Sequence, residues 1–128
     1  MYKQISANKR NTWLLVIVFL AFFIGLGYFL GLYYGETQEQ TIGIMGIFGI
    51  GAIIYSMISY YSAGKITLAI AHAKEIEKRD QPELYRTVEN LCIASGLPTP
   101  KIYLINDTAL NAFATGRDPQ HASVAITK

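Results

Sequence analysis

The chain has 128 residues, a formal net charge of +2 and a hydrophobic fraction of 52%. Its basic residues are not collected into one stripe, so the charge gives no support for a nucleic-acid partner. The one cysteine, Cys92, excludes an internal disulfide framework and any metal site that needs several thiolate ligands. The distribution of apolar residues is therefore the main indication of the fold.

Two apolar stretches, Trp13 to Tyr34 and Ile42 to Ala63, contain no Asp, Glu, Lys, Arg or His. A helix of either length would extend about 33 Å, which exceeds the roughly 30 Å hydrocarbon core of a bilayer. The first stretch is too long for a cleaved signal peptide. The sequence therefore predicts a leader over residues 1–12 and a two-span transmembrane hairpin over residues 13–63, with the lipid bilayer as a partner.

The charged residues around the hairpin predict its orientation. The segment between the spans carries Glu36 and Glu39 and no base. The basic residues that flank the hairpin are Lys3, Lys9 and Arg10 before it and Lys65, Lys74, Lys78 and Arg79 after it. Short flanks rich in Lys and Arg remain on the cytoplasmic side. We therefore expect a multi-pass protein of the cell membrane with both ends of this chain in the cytoplasm.

Small residues recur within both spans. Gly27, Gly31 and Gly35 are spaced four apart in the first span. The second span carries small residues on roughly one helical face, namely Gly43, Gly46, Gly49, Ala52, Ser56, Ser59 and Ala63. Small residues allow two helix backbones to approach closely in lipid. Two uses are open: packing of the hairpin on itself, or docking of further transmembrane helices.

Residues 64–128 predict a polar domain that begins with two helices. Apolar residues at helical spacing predict that the second span continues as a helix from Lys65 to Arg79. A second helix would begin at Asp80, whose spacing to Glu83 is that of a capping box, with Pro82 in the first turn. Gly96 would end this helix in a left-handed conformation.

The hydrophobic pattern changes to that of strands after Gly96. The segments Lys101–Ile105, Asn111–Thr115 and Ala122–Thr127 predict two or three short strands, separated by turns at residues 106–107 and 116–119. The predicted fold is therefore a membrane α-helical hairpin followed by an incomplete α+β cytoplasmic domain, with two helices and then two or three short strands.

The residue patterns show no catalytic constellation. There is no HExxH, CxxC or GxSxG motif, and the two histidines, His72 and His121, lie far apart in sequence. We predict that the 128 residues contain no catalytic residue and no metal ligand.

Two strings nevertheless carry a specific resemblance. GLPTPKIYLI (Gly96–Ile105) and NAFATGR (Asn111–Arg117) resemble the HtpX family of membrane-embedded zinc metalloproteases, and the hairpin and the DQPELYRTVENL segment fit that family's N-terminal architecture. The resemblance implies that an HExxH helix and a later glutamate bind zinc beyond Lys128. Residues 64–128 would then be the N-terminal part of a peptidase domain, truncated before the zinc-binding helix. The fragment alone would bind no zinc and cleave no peptide.

The resemblance also implies a substrate site and a role. The NAFATGR segment would lie beside the active-site cleft, with Asn111, Ala112, Phe113 and Ala114 as substrate-binding residues. The alternative is that Asn111 ties down a turn and Phe113 fills the core. The implied function is proteolytic quality control of membrane proteins, which would be the substrates, and further transmembrane helices of the longer protein would be partners. The competing hypothesis is a non-enzymatic two-span module that docks other helices or a cytoplasmic partner.

Overall fold

A computed structural model describes all 128 residues and divides them into two compact units, Met1–Ser59 and Tyr60–Lys128. The chain forms three α-helices, four strands and one 3-10 turn. In chain order these are α1 (Tyr2–Tyr34), α2 (Gln38–Ile70), β1 (Lys74–Glu75), α3 (Pro82–Ser95), β2 (Lys101–Ile105), β3 (Ala112–Thr115), the 3-10 turn (Pro119–His121) and β4 (Ser123–Thr127).

The first unit contains α1 and most of α2, the two helices of the hairpin that the sequence predicts. Both α1 and α2 are long and apolar enough to cross a membrane. Large apolar side chains such as Leu15, Ile47 and Ile50 are exposed on the outer surface of the helices. Helices that are apolar all round are typical of membrane spans, because lipid is the solvent of their outer faces.

The two helices of the hairpin pack through glycines. A Cβ atom added to Gly31 would lie 2.9 Å from the Cα atom of Thr41, and one added to Gly27 would lie 2.7 Å from the Cβ atom of Phe48. The buried Thr41 hydroxyl donates a 3.0 Å hydrogen bond to the Gly31 carbonyl. The glycine stripe of α1 therefore packs the hairpin on itself, the first of the two uses that the sequence leaves open.

The small residues of α2 do not form the single packed face that the sequence predicts. Gly49 and Ala52 are buried. Gly43 and Gly46 are exposed, and a Cβ atom added to either would have no neighbour within 4 Å. The spacing of these residues drifts around the helix, so that one end of the series turns away from α1.

The predicted helix from Lys65 to Arg79 is wrong beyond Ile70. The helix α2 ends at Ile70, and His72 adopts a positive φ of 52°. Lys74 and Glu75 form β1, which pairs with β2, and the next residue, Ile76, donates its N–H to the carbonyl of Ile102. Pairing with β2 supplies backbone hydrogen bonds that the local helical pattern cannot outweigh.

The predicted ends of α3 are partly correct. Pro82 lies in the first turn, and Gly96 ends the helix in the left-handed conformation at φ 67°. Asp80 is not the N-cap, because Gln81 occupies that position without a side-chain hydrogen bond. The Asp80 carboxylate instead accepts the N–H of Glu77 at 2.8 Å, which closes the turn before the helix.

The sheet has the strand order β1-β2-β4-β3. Strands β2 and β4 are parallel, and the two outer pairs are antiparallel. Ile102 and Ala125 are both 0% exposed, and the register places them on opposite faces, since Ile102 pairs with Val124. The α-helical hairpin followed by a small α+β unit confirms the predicted fold class, with β1 as an additional strand before α3.

Candidate functional site

The strand β3 forms one edge of the sheet and pairs with β4 alone. It contains three of the four residues that the sequence predicts as substrate-binding, Ala112, Phe113 and Ala114, and the fourth, Asn111, directly precedes it. An edge strand presents unpaired backbone N–H and C=O groups, on which an extended peptide can add a further strand.

The ladder between β3 and β4 shows which backbone groups face outward. The N–H of Thr127 donates to the carbonyl of Asn111 at 3.0 Å. Bonded and non-bonded pairs alternate along an antiparallel ladder. The pair of Phe113 with Ala125 is therefore bonded to β4, and the N–H and C=O groups of Ala112 and Ala114 point away from it.

The Thr127 hydroxyl ties Asn111 to β4. The N–H of Asn111 donates to Oγ1 of Thr127 at 2.8 Å, and the same hydroxyl donates to the Asn111 carbonyl at 3.0 Å. Oδ1 of Asn111 accepts the N–H of Ala112 at 2.9 Å. Asn111 thus orders the start of β3, and its side chain already accepts the outward N–H of Ala112. The N–H of Ala114 is the outward donor that Asn111 leaves open.

The side chains of β3 divide between the two faces of the sheet. Phe113 is half-buried and lies in register with the fully buried Ala125. Ala112 and Ala114 are exposed on the opposite face. The structure brings all four predicted residues to one edge, where Phe113 packs and the two alanines leave the backbone accessible.

A tight turn follows β3. Gly116 has φ of 150°, and a Cβ atom there would lie 2.6 Å from the His121 carbonyl oxygen, so this position requires glycine. Oδ1 of Asp118 accepts the backbone N–H of His121 at 2.8 Å and lies 2.7 Å from Nδ1 of its ring. The hydrogen bond from the His121 side chain lowers the pKa of Asp118.

The residues of this chain do not form a zinc site. No three His, Cys, Asp or Glu side chains are grouped so that they could hold a metal ion. His72 is exposed in the turn after α2, and the His121 ring is engaged with Asp118. A structural zinc site takes four protein ligands and a catalytic one three, which these residues do not supply.

Sequence reasoning missed two contacts at this edge. Thr127 lies 16 residues from Asn111, and no local pattern connects them. The contact of Asp118 with His121 has a local signal, because an Asp that directly precedes a Pro in the first helical position is a typical N-cap.

Comparison with known proteins gives consistent matches. The sequence model of Peptidase family M48 matches residues 78–128. A protein named "Protease HtpX homolog" from Tropheryma whipplei is 40% identical over 127 residues, which cover 99% of this chain and 42% of that protein. Proteins of the same name from Lactobacillus helveticus and Streptococcus pneumoniae are 38% and 35% identical over 100% and 99% of this chain. No solved structure matches the chain significantly.

The similarity to these relatives covers the whole of this chain but only part of each relative. The chain spans about two fifths, 42%, of the length of these curated relatives, while they match it from one end to the other. The peptidase match begins at Lys78 and includes α3, β2, β3 and β4. The predicted resemblance to the HtpX family is therefore confirmed.

Proposed function

We propose that this chain provides the membrane anchor and the first part of the peptidase domain of a zinc metalloendopeptidase that acts in the quality control of membrane proteins. Two observations support the proposal: two helices able to cross a membrane, and similarity along the whole chain to proteins named as HtpX proteases. The flanking charges support a cytoplasmic location for both ends of the chain. The soluble unit would then act on protein substrates at the cytoplasmic surface.

The observation that carries this proposal is the open edge of β3 within the segment matched by the peptidase family. The backbone of Ala112 and Ala114 points outward, and their side chains are too small to block an incoming chain. We propose that an extended substrate pairs with this edge, with the backbone of Ala114 as the principal contact. Main-chain hydrogen bonds bind such a strand with little dependence on its sequence.

In this proposal the zinc ligands lie beyond Lys128, in the remainder of the longer protein. A bound zinc ion would polarise the scissile carbonyl. The residues described here would hold and orient the substrate. Thr127 and Asn111 would keep the start of β3 in register, and the half-buried Phe113 would hold the strand against the sheet.

The sequence that follows codon 128 in the gene gives the first test. We expect an HExxH motif within about one helix of Lys128. A stop codon at that position would instead favour the non-enzymatic module that docks other helices or a cytoplasmic partner.

The edge strand is tested in the full-length protein, reconstituted in vesicles with an unfolded membrane protein as substrate. Ala114→Pro removes an outward N–H, and proline is tolerated in an edge strand where its N–H would face solvent. We expect kcat/KM to fall roughly 2- to 13-fold, the value of one net hydrogen bond of about 0.5–1.5 kcal/mol.

Ala112→Pro is the matched control, because Oδ1 of Asn111 already covers that N–H. We expect it to change kcat/KM less than Ala114→Pro does. Equal values for the two variants and the wild type, with zinc bound and cleavage intact, would contradict substrate pairing at β3 while leaving the protease assignment in place.

A further inference from the structure

The turn after β3 contacts the end of the second membrane span. The guanidinium carbon of Arg117 lies 4.8 Å from the centroid of the Tyr61 ring, within the range of a cation–π interaction. Tyr61 belongs to the apolar stretch Ile42–Ala63, two residues before the stretch ends and four before the first cation, Lys65. Both Arg117 and Tyr61 belong to the compact unit Tyr60–Lys128.

A second contact joins the same two elements. A Cβ atom added to Gly64 would lie 3.7 Å from Oγ1 and 3.8 Å from Cγ2 of Thr115. The last residue of β3 therefore approaches α2 one turn beyond Tyr61, where the helix has no side chain. Two contacts at adjacent turns fix the position of this end of β3 along the helix axis.

The chemistry of this contact matches the interface of a bilayer. Tyrosine is enriched where a span meets the headgroups, and arginine places its apolar stem along a hydrophobic surface while its charged end reaches polar groups. The Tyr61 ring remains 57% exposed beside Arg117. Asp118 is the nearby counter-ion, but its carboxylate lies 3.8 Å from Nε of Arg117, which is longer than a charge-assisted hydrogen bond.

We propose that the turn Gly116–His121 lies in the lipid headgroup layer and that the Arg117 guanidinium binds a lipid phosphate there. Arginine can meet a phosphate with two parallel N–H donors, and the rear face of the guanidinium would remain stacked on Tyr61. The Thr115 end of the edge strand β3 then adjoins the membrane surface, and the Asn111 end lies farther into the cytoplasm. This placement depends on the contacts with α2 and not on catalysis.

Site-directed spin labelling of the chain in phosphatidylcholine–phosphatidylglycerol vesicles tests the proposal. In a Cys92→Ser background, a nitroxide at Gln120→Cys reports on the turn, and one at Asn90→Cys on the exposed surface of α3 serves as the control. Collision with a water-soluble nickel chelate and with lipid-soluble oxygen gives the depth of each label. We expect the Gln120 label at headgroup depth and the Asn90 label at the value for bulk water.

The contribution of the contact is tested with matched variants. Tyr61→Leu removes the ring and Tyr61→Phe keeps it; Arg117→Gln removes the charge and Arg117→Lys keeps it. We expect Tyr61→Leu and Arg117→Gln to shift the Gln120 label toward water, and the conservative variants to shift it less. Bulk-water accessibility at Gln120 in the parent would overturn the proposal, as would a headgroup depth that Arg117→Gln leaves unchanged while circular dichroism shows the fold intact.

Discussion

The hairpin and the sheet of this chain pack by opposite means. In the hairpin, glycines bring the backbones together, and large side chains such as Leu15 and Ile50 are exposed. In the sheet unit, the centre is filled by a large side chain, and Ile102 is the largest residue that is fully buried. The first arrangement stabilises helices in lipid, where apolar burial contributes little, and the second uses the hydrophobic effect of water.

The difference shows that an exposed apolar side chain has a different meaning in each unit. On the hairpin, such a side chain suits the outer face of a helix that can cross a membrane. On the sheet unit, α3 and its neighbouring loops expose Leu91, Ile93 and Leu97, and Leu110 is 99% exposed. A unit this small, with this much exposed apolar surface and with Leu68 and Ile102 as its large buried apolar side chains, is expected to have a low free energy of unfolding.

The largest expected effect is therefore in the sheet. Ile102→Ala removes the one large side chain that is completely buried, and such a truncation typically costs about 2–5 kcal/mol. A unit of this size is expected to have a free energy of unfolding near the low end of about 5–15 kcal/mol. We expect amide hydrogens of β2 and β4 to lose most of their exchange protection in detergent micelles, while those of the hairpin keep theirs.

Leu110→Ala is the control, because the exposed side chain should contribute less than about 0.5 kcal/mol. The Ile102 prediction is wrong if both variants keep the exchange protection of the wild type.

The hairpin should be destabilised by a larger side chain at a glycine that contacts the other helix, and not by the loss of a large side chain. A methyl group at Gly31 would meet the backbone of Thr41 at 2.9 Å, whereas one at Gly25 would meet nothing within 4 Å. We expect Gly31→Ala to destabilise the hairpin by about 1–3 kcal/mol, as overpacking does, and Gly25→Ala to leave it unchanged or stabilise it. Steric-trap unfolding in bicelles measures both variants, and equal free energies would contradict packing through the glycine stripe.

A smaller effect is expected for the hydrogen bond between the helices. Thr41→Val keeps the shape of the side chain but removes the hydroxyl, which lies 3.0 Å from the Gly31 carbonyl oxygen and 3.3 Å from that of Thr37, the residue before its own helix. Polar contacts between membrane helices average about 0.6 kcal/mol and reach about 1.7 kcal/mol. We expect steric-trap unfolding to show a decrease of this size in the free energy of unfolding, smaller than the decrease for Gly31→Ala. A larger decrease for Thr41→Val than for Gly31→Ala would show that the hydroxyl, and not the close approach of the backbones, stabilises the hairpin.

The two units also differ in how far their structure follows from sequence. The two hairpin helices are predicted, because an uncharged stretch long enough to cross the bilayer has one stable backbone conformation in lipid. Their lengths are not, since α1 begins at Tyr2 and α2 continues to Ile70, beyond the apolar stretches on which the prediction rests. The strand Lys101–Ile105 is predicted with its observed bounds, since its β-branched and aromatic residues favour a pleated surface.

The residues from Ala71 to Glu77 could not be predicted in the same way. Their apolar spacing indicates a helix, but β2 is available as a partner and converts Lys74 and Glu75 into a strand. The contact of Thr127 with Asn111 likewise depends on the register of β4 against β3. Local sequence patterns predict helices, because the hydrogen bonds of a helix lie within one segment. The edge strands β1 and β3 depend instead on pairing with segments that are distant in the sequence.

The smallest expected effect is the pH dependence of the turn Gly116–His121. The pKa of Asp118 lies below its ordinary value of 3.8, because its carboxylate accepts hydrogen bonds from His121. A lowered pKa in the folded state means that the charged carboxylate stabilises the turn fully above pH 3.8, and that this contribution is lost as pH falls through the folded pKa. Asp118→Asn keeps one acceptor oxygen and cannot titrate. We expect exchange protection of the His121 amide to fall more steeply on acidification in the wild type than in this variant; parallel profiles for the two proteins would contradict the prediction.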